Sequence, residues 1–300
     1  MGATLHRRGR RHCRAPRAGE CRQPDFRWSG WSGAPVTFTA KKVVRYVLLA
    51  IVALGALALL AWHPWTHASM EKSTVELPAL ASPPKGEEDL LVVIYSGDGG
   101  WWDLDQRLGA VFVQRGIPVA GVSTFKYFWR YRSPQESAHD LDGLLDKYTA
   151  QWSKKRVLLI GYSFGADVLP TIVGMIRPDN RAKLAQLVLL SGSRDVNFEI
   201  ELEGYMKQGW WTTHTHNFLQ WLNPVVHTDA MPPIVQLGGK PPMACYYGQE
   251  DADDSLCTDH RLPSFVTVYQ KPGSHHFDEN YEKLATELIQ RMPAGASTSP

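Results

Sequence analysis

The stretch "RVLLIGYSFGADVLP", Arg156 to Pro170, holds a serine with a glycine two places to either side: Gly161-Tyr162-Ser163-Phe164-Gly165. Before it, Val157 to Ile160 form a continuous apolar run, the pattern of a strand buried on both faces. After it the residues are spaced as a helix, which Pro170 is expected to interrupt. A serine on so tight a strand-to-helix bend has the context of a nucleophile elbow. Residues two before and two after the serine approach one another there, and glycine tolerates that approach. The following helix N-terminus offers N–H groups to an oxyanion. The same five residues also fit a turn of no chemical consequence, so the rest of the chain has to supply the partners.

The surroundings repeat one rhythm. Leu90–Tyr95, Ile117–Val122, Arg156–Gly161, Leu184–Gly192, Pro242–Gly248 and Ser264–Tyr269 read as strands. Between them lie helical spacings at Leu104–Gly116 and from Ser133, where Ser133 caps, Pro134 takes the first helical position and Glu136 stands three after the cap. Asp278–Met292 reads as a closing amphipathic helix. Apolar strands alternating with amphipathic helices predict a mostly parallel sheet with helices on both faces, and with the elbow they predict an α/β-hydrolase fold over residues 88–292. Residues 195–233 break the rhythm, carry Trp210, Trp211 and Trp221, and read as a cap-like insertion over the strand ends.

In that fold the serine is followed in the chain by an acid and then a histidine. After "PMACYYG" comes "QEDADDSLC", which offers Asp251, three after Gly248, and Asp254 close behind it. After "SFVTVY" comes "QKPGSHHF", in which His276, before an aromatic residue, is selected as the base, with His275 as its neighbour or substitute. The histidine would take the serine proton near neutral pH, and the acid would fix its tautomer. The loop "SGDGGWW", Ser96 to Trp102, would supply a second oxyanion N–H, with the amides of Asp98 and Phe164 as the pair. Tyr162, His275 and the Asp98 carboxylate are candidate substrate contacts. For each residue taken alone a bland reading competes: a solvated loop histidine, an acidic solvated face, a Gly-rich turn. The ordered set at three strand ends favours the chemistry. The aromatic and cationic segment "FKYFWRYR", Phe125 to Arg132, fits either anionic headgroups at a bilayer or a loop with core aromatics.

The chain is 44% hydrophobic and 21% charged, an ordinary globular composition with a net charge of +2. Residues 1–45 hold eleven Lys/Arg against two Asp/Glu, so the remainder is mildly acidic and a nucleic-acid role for it is not expected. This basic arm is read as cytoplasmic, or as sequence upstream of the true start. Tyr46–Trp62 is an uncharged run of 17 residues behind Lys41, Lys42 and Arg45. It fits a signal sequence, with Thr66-His67-Ala68 as the cleavage site, or a membrane anchor. Either would place the folded part across the membrane. Residues 63–87 read as a linker and 293–300 as a disordered tail. Of four cysteines, Cys245 and Cys257 lie in the folded part, and an oxidising compartment would join them. No zinc-ligand spacing is present in the sequence, and no metal or organic cofactor is expected.

The segments "YSGDGGWWDLD", "STFKYFWRYRSPQESAHDL", "LIGYSFGADVLP", "LLSGSRDVNFEI", "ACYYGQEDADDSLC" and "PGSHHFD" together resemble the AcvB/VirJ family of bacterial periplasmic α/β hydrolases, over roughly Leu90 to Met292. The chain looks like the short, VirJ-type form. The resemblance puts the family's serine on Ser163 and its H-H-F histidine on His276. It implies hydrolysis of lysyl-phosphatidylglycerol, an aminoacylated phospholipid, at the inner-membrane surface on its periplasmic side. The alternatives are a general carboxylesterase or lipase, and a secretion-associated protein that uses the fold to bind secretion-system partners.

Overall fold

The computed structural model describes residues 40–62, 68–201 and 225–293. The chain divides into two compact units, Met1–Leu54 and Gly55–Pro300. In the first runs most of helix α1 (Ala40–Trp62), which contains the uncharged run. Among the described residues no helix is long and apolar enough to cross a membrane.

The second unit is built on a seven-stranded sheet. In chain order the elements are α2 (Met70–Ser73), β1 (Thr74–Leu77), β2 (Leu90–Tyr95), α3 (Asp103–Gln114), β3 (Val119–Val122), α4 (Thr124–Tyr127), α5 (Pro134–Gln151), β4 (Arg156–Tyr162), α6 (Phe164–Met175), α7 (Pro178–Lys183), β5 (Leu184–Leu190), β6 (Asp195–Val196), β7 (Thr228–Asp229), α8 (Met231–Leu237), β8 (Met243–Gly248), β9 (Val266–Lys271) and α9 (Tyr281–Gln290). The sheet order is β1-β3-β2-β4-β5-β8-β9; β1 is antiparallel to β3 and the other pairs are parallel. This is an α/β-hydrolase fold. Strands β2 and β4 are neighbours although β3 lies between them in the chain, so the order reverses at this pair. The crevice beyond the carboxyl ends of such a pair is where open α/β sheets hold ligands.

The continuous apolar strands explain the two cores. Leu91, Val93 and Tyr95 of β2 face a cluster with Leu141, Leu145, Val168 and Leu169, while Leu90, Val92 and Ile94 face Phe112, Leu284 and Leu288 on the other side. Every side chain of β2 is buried, each contributing about 1.5–3 kcal/mol when large and apolar. Ser133 accepts a hydrogen bond from the Glu136 N–H at 3.2 Å, so the expected cap is formed.

Three expectations need correction. The stretch read as a linker contributes β1, whose four residues pair with β3; a short strand on the sheet edge lacks the apolar run by which buried strands are recognised. Pro170 does not interrupt α6, which continues to Met175, because packing of an apolar helix on the sheet outweighs one lost hydrogen bond. The last helix begins at Tyr281, not at Asp278, because Phe277, Asp278 and Glu279 all have positive φ (59°, 59° and 55°). Of the cap-like insertion, β6 and β7 form a small antiparallel pair; its tryptophans lie outside the described residues.

Candidate active site

Ser163 follows β4 and precedes α6 with φ 51° and ψ −119°, a strained conformation for a non-glycine residue costing about 1–3 kcal/mol. The bend is held because the Ser163 N–H donates to Leu190 O at 2.8 Å. Its glycines are sterically required. A Cβ on Gly161 would lie 2.5 Å from Gly165 O, and one on Gly165 would lie 2.4 Å from Tyr95 O. The turn is therefore wedged between its own two limbs and the end of β2.

The acid loop leaves β8 at Gly248 and the histidine loop leaves β9 at Lys271. They are tied together by the Glu250 N–H, which donates to Gly273 O at 3.0 Å. The Cys245–Cys257 disulfide joins β8 to the far end of the acid loop across a Cα–Cα distance of 5.5 Å. Closing a loop of this size removes roughly 3 kcal/mol of unfolded-chain freedom. Within it, Asp251 Oδ2 stands 3.4 Å from His275 Nδ1. That is long for a hydrogen bond, and contacts of this kind commonly tighten when substrate binds. Asp254 makes no comparable approach to either histidine: its N–H donates to Asp251 O at 3.3 Å.

The structure thus brings Asp251 to His275, which the sequence offers as neighbour or substitute of His276, and not to His276 itself. His276 turns to the other side, its Nδ1 3.3 Å from the Tyr162 hydroxyl and 3.7 Å from Asp103 Oδ2. The physical reason is the left-handed turn at Phe277–Glu279. Phe277 is buried in the core, so its backbone is drawn inward and the two imidazoles are splayed, one toward each loop. The Ser191 hydroxyl also donates to His275 O at 3.1 Å, fixing that residue's backbone. The Tyr162 ring packs against both imidazoles, its centroid 5.3 Å from His275 and 6.0 Å from His276, which are themselves 6.0 Å apart.

Electrostatics favour His275 as a base. Burial pushes its pKa below 6.5, and the repulsion of His276 acts the same way, against the attraction of Asp251 and Asp98. A lowered value leaves the imidazole neutral, and able to accept a proton, at neutral pH. Activity that depends on neutral His275 is therefore lost only as the pH falls below 6.5, so the acidic limb of a kcat/KM–pH profile is expected with its midpoint under that value. A midpoint above 6.5 would contradict this assignment.

Asp167, four residues past the serine on α6, accepts from the Ser193 N–H at 2.6 Å, and burial raises its pKa to about 7. Asp105, on the first turn of α3, is buried beneath the Ser96–Trp102 loop, and burial raises its pKa to about 8. Neither residue was singled out in the sequence. The available signal was a lone carboxylate within the apolar "FGADVLP", one helical turn from Ser163. Asp98 sits close enough for its charge to act on both His275 and Asp167. The Asp98 and Phe164 amides donate to no acceptor among the described residues. A cavity of about 240 Å³ beside His275 is lined by Ser191, Ser193, Tyr247, Asp251, Asp254 and Ser255. A larger one, about 570 Å³, lies along the far half of α6 and is lined by apolar residues including Met175, Val196, Phe198 and Val226. No group able to hold a metal ion is found among the described residues.

The segment Phe125–Arg132 is largely structural. Tyr127, Phe128 and Arg132 are buried, and Arg132 donates to Glu136 Oε1 at 2.6 Å and Ala68 O at 2.8 Å.

A family model described as "Bacterial virulence protein (VirJ)" matches residues 89–296. The chain belongs to the VirJ family. No curated protein matches it. Among solved structures it is similar to the Pyrococcus furiosus esterase Pf2001, at 15% identity over 73% of this chain and 89% of that one, with a TM-score of 0.48. It is similar to the 2,6-dihydroxy-pseudo-oxynicotine hydrolase at 15% identity, 76% and 70% coverage and a TM-score of 0.49. The thioesterase domain from the curacin biosynthetic pathway gives 15%, 72% and 94%, and 0.43. At such identities the likeness concerns the fold alone. What a VirJ family member does with this fold has to be argued from its own site.

Proposed function

We propose that this protein is a serine hydrolase that cleaves a carboxylic ester whose acyl group is cationic, the aminoacyl ester of lysyl-phosphatidylglycerol. Ser163 attacks the ester carbonyl while His275 takes its proton. The tetrahedral oxyanion is held by the Asp98 and Phe164 amides, and His275 returns the proton to the departing glycerol oxygen. Water, activated by the same imidazole, then releases the amino acid from Ser163. Asp251 steadies the imidazolium.

The observation that carries it is the acidic character of the site at His275. Asp251 and Asp254 line the small cavity there, and the charge of Asp98 acts on His275. With Asp251 committed to the imidazole, Asp98 and Asp254 remain to favour an acyl group that carries an ammonium over a neutral one. The expected result is release of free lysine from vesicles containing lysyl-phosphatidylglycerol by the purified protein, and none by Ser163→Ala. With Asp98→Asn, turnover of the lysyl ester should fall at least about tenfold more than turnover of a neutral ester, one charge-assisted hydrogen bond being worth ~1.5–3 kcal/mol. Equal losses on both esters would remove Asp98 from substrate recognition.

The apolar groove along α6 favours a second reading, an esterase for neutral acyl chains. A rate that climbs with acyl chain length and ignores acyl charge would select it.

We also place the protein at the outer side of the cytoplasmic membrane. The basic flank of the uncharged run supports this, as does the disulfide, which suits an oxidising compartment. The bond from Arg132 to Ala68 O makes Ala68 part of the fold, which argues against removal of the chain up to that residue.

A further inference from the structure

Beside the serine, the Gly97–Asp98 peptide of the Ser96–Trp102 loop carries an unusual number of bonds. Gly97 O accepts from the Gly100 N–H at 3.0 Å, from the Ser96 hydroxyl at 3.1 Å and from the Thr124 hydroxyl in a short contact. The two hydroxyls are themselves 3.0 Å apart, and the Thr124 N–H donates to Ser96 Oγ at 3.1 Å. Ser96 and Thr124 are both fully buried, at 0% exposure. Nothing in the proton transfers described above uses either of them.

The sheet order gives this knot a direction. Thr124 follows β3, and β3 lies on one side of β2; Ser163 follows β4, which lies on the other. Gly97 O is therefore pulled toward the β3 side. The C=O of Gly97 and the N–H of Asp98 belong to one planar trans peptide and point in opposite directions. Fixing the carbonyl toward Thr124 fixes the Asp98 N–H toward the serine. Gly97 itself is in contact with the elbow: a Cβ there would stand 3.3 Å from the Tyr162 ring and 3.5 Å from Ser163 Cβ. A Gly-rich loop has several peptide orientations open to it, and without the knot the Gly97–Asp98 plane could turn over and present a carbonyl oxygen to the oxyanion.

We infer that Thr124 and Ser96 are positioning residues for the oxyanion site, locking the Gly97–Asp98 peptide so that the Asp98 amide faces the carbonyl attacked by Ser163. They touch no substrate. Their effect is confined to the charge that develops in the transition state, so it falls on kcat and leaves KM nearly unchanged. The inference rests on the serine-hydrolase reading and names two residues that the reading does not require.

The test uses the full chain with a p-nitrophenyl ester and a phenylboronic acid, which forms a tetrahedral adduct on an active serine. Thr124→Val keeps the side-chain shape and removes the hydroxyl. It should lower kcat about 10- to 100-fold, somewhat less than the 10²–10³-fold lost with an oxyanion donor itself. KM should stay within about twofold, and the boronate inhibition constant should rise by the same factor as kcat falls. Thr124→Ser, which retains the hydroxyl, should recover most of the rate. Ser96→Ala provides a second reading of the same knot should Thr124→Val fail to fold. Folded Thr124→Val or Ser96→Ala protein with wild-type kcat and boronate affinity would overturn the inference while leaving the serine mechanism standing. Equal rates for wild type and Ser163→Ala would overturn both.

Discussion

Ser163→Ala is expected to lower kcat by roughly 10⁵- to 10⁶-fold, the loss seen when a triad nucleophile is removed, with little change in thermal stability. The strain at Ser163 is a backbone property set by Gly161, Gly165 and the bond to Leu190 O, and alanine meets the same φ at much the same cost. The residual rate would come from the oxyanion amides and from binding. Circular dichroism with a thermal melt checks the fold, and an ester assay with enzyme in large excess checks the rate. A variant that keeps more than about a hundredth of the wild-type kcat would show that another group attacks the ester.

The second large effect separates the two adjacent histidines. His275→Ala should cost roughly 10⁵-fold or more in kcat, comparable with the serine itself, because serine and base act as a unit. Asp251→Asn should cost about 10⁴-fold, through the wrong imidazole tautomer. His276→Ala should cost no more than about tenfold, since it removes one part-buried contact with Tyr162 worth ~0.5–1.5 kcal/mol. The order is what matters. If His276→Ala is the severe variant and His275→Ala the mild one, the pairing with Asp251 is not the working one, and the base reaches Ser163 from the Asp103 side.

Much of this could be read from the chain because each strand is a continuous apolar run and each is followed by its chemistry. The elbow declares itself through two glycines that nothing else could replace. The acid and histidine loops follow strands in the expected order. What stayed hidden was set by tertiary geometry. Whether His275 or His276 meets Asp251 depends on three consecutive left-handed residues that carry side chains and so give no glycine signal. Strand β1 was concealed in a polar stretch because an edge strand need not be apolar. Asp105 and the Ser96–Thr124 pair were invisible because their partners lie in other segments of the chain, and short polar residues near strand ends are common. The segment Phe125–Arg132 fits lipid headgroups or a loop with core aromatics equally well as sequence; in the structure Arg132 is buried against Tyr127 and bonds Ala68 O.

The most direct measurement is labelling of the wild-type protein with a fluorophosphonate, which reacts with an activated serine, followed by peptide mass spectrometry of wild type, His275→Ala and His276→Ala. The proposed mechanism predicts one modified residue, Ser163, fully labelled in wild type and in His276→Ala and unlabelled in His275→Ala. No label on folded wild type, or equal labelling in His275→Ala, would contradict it.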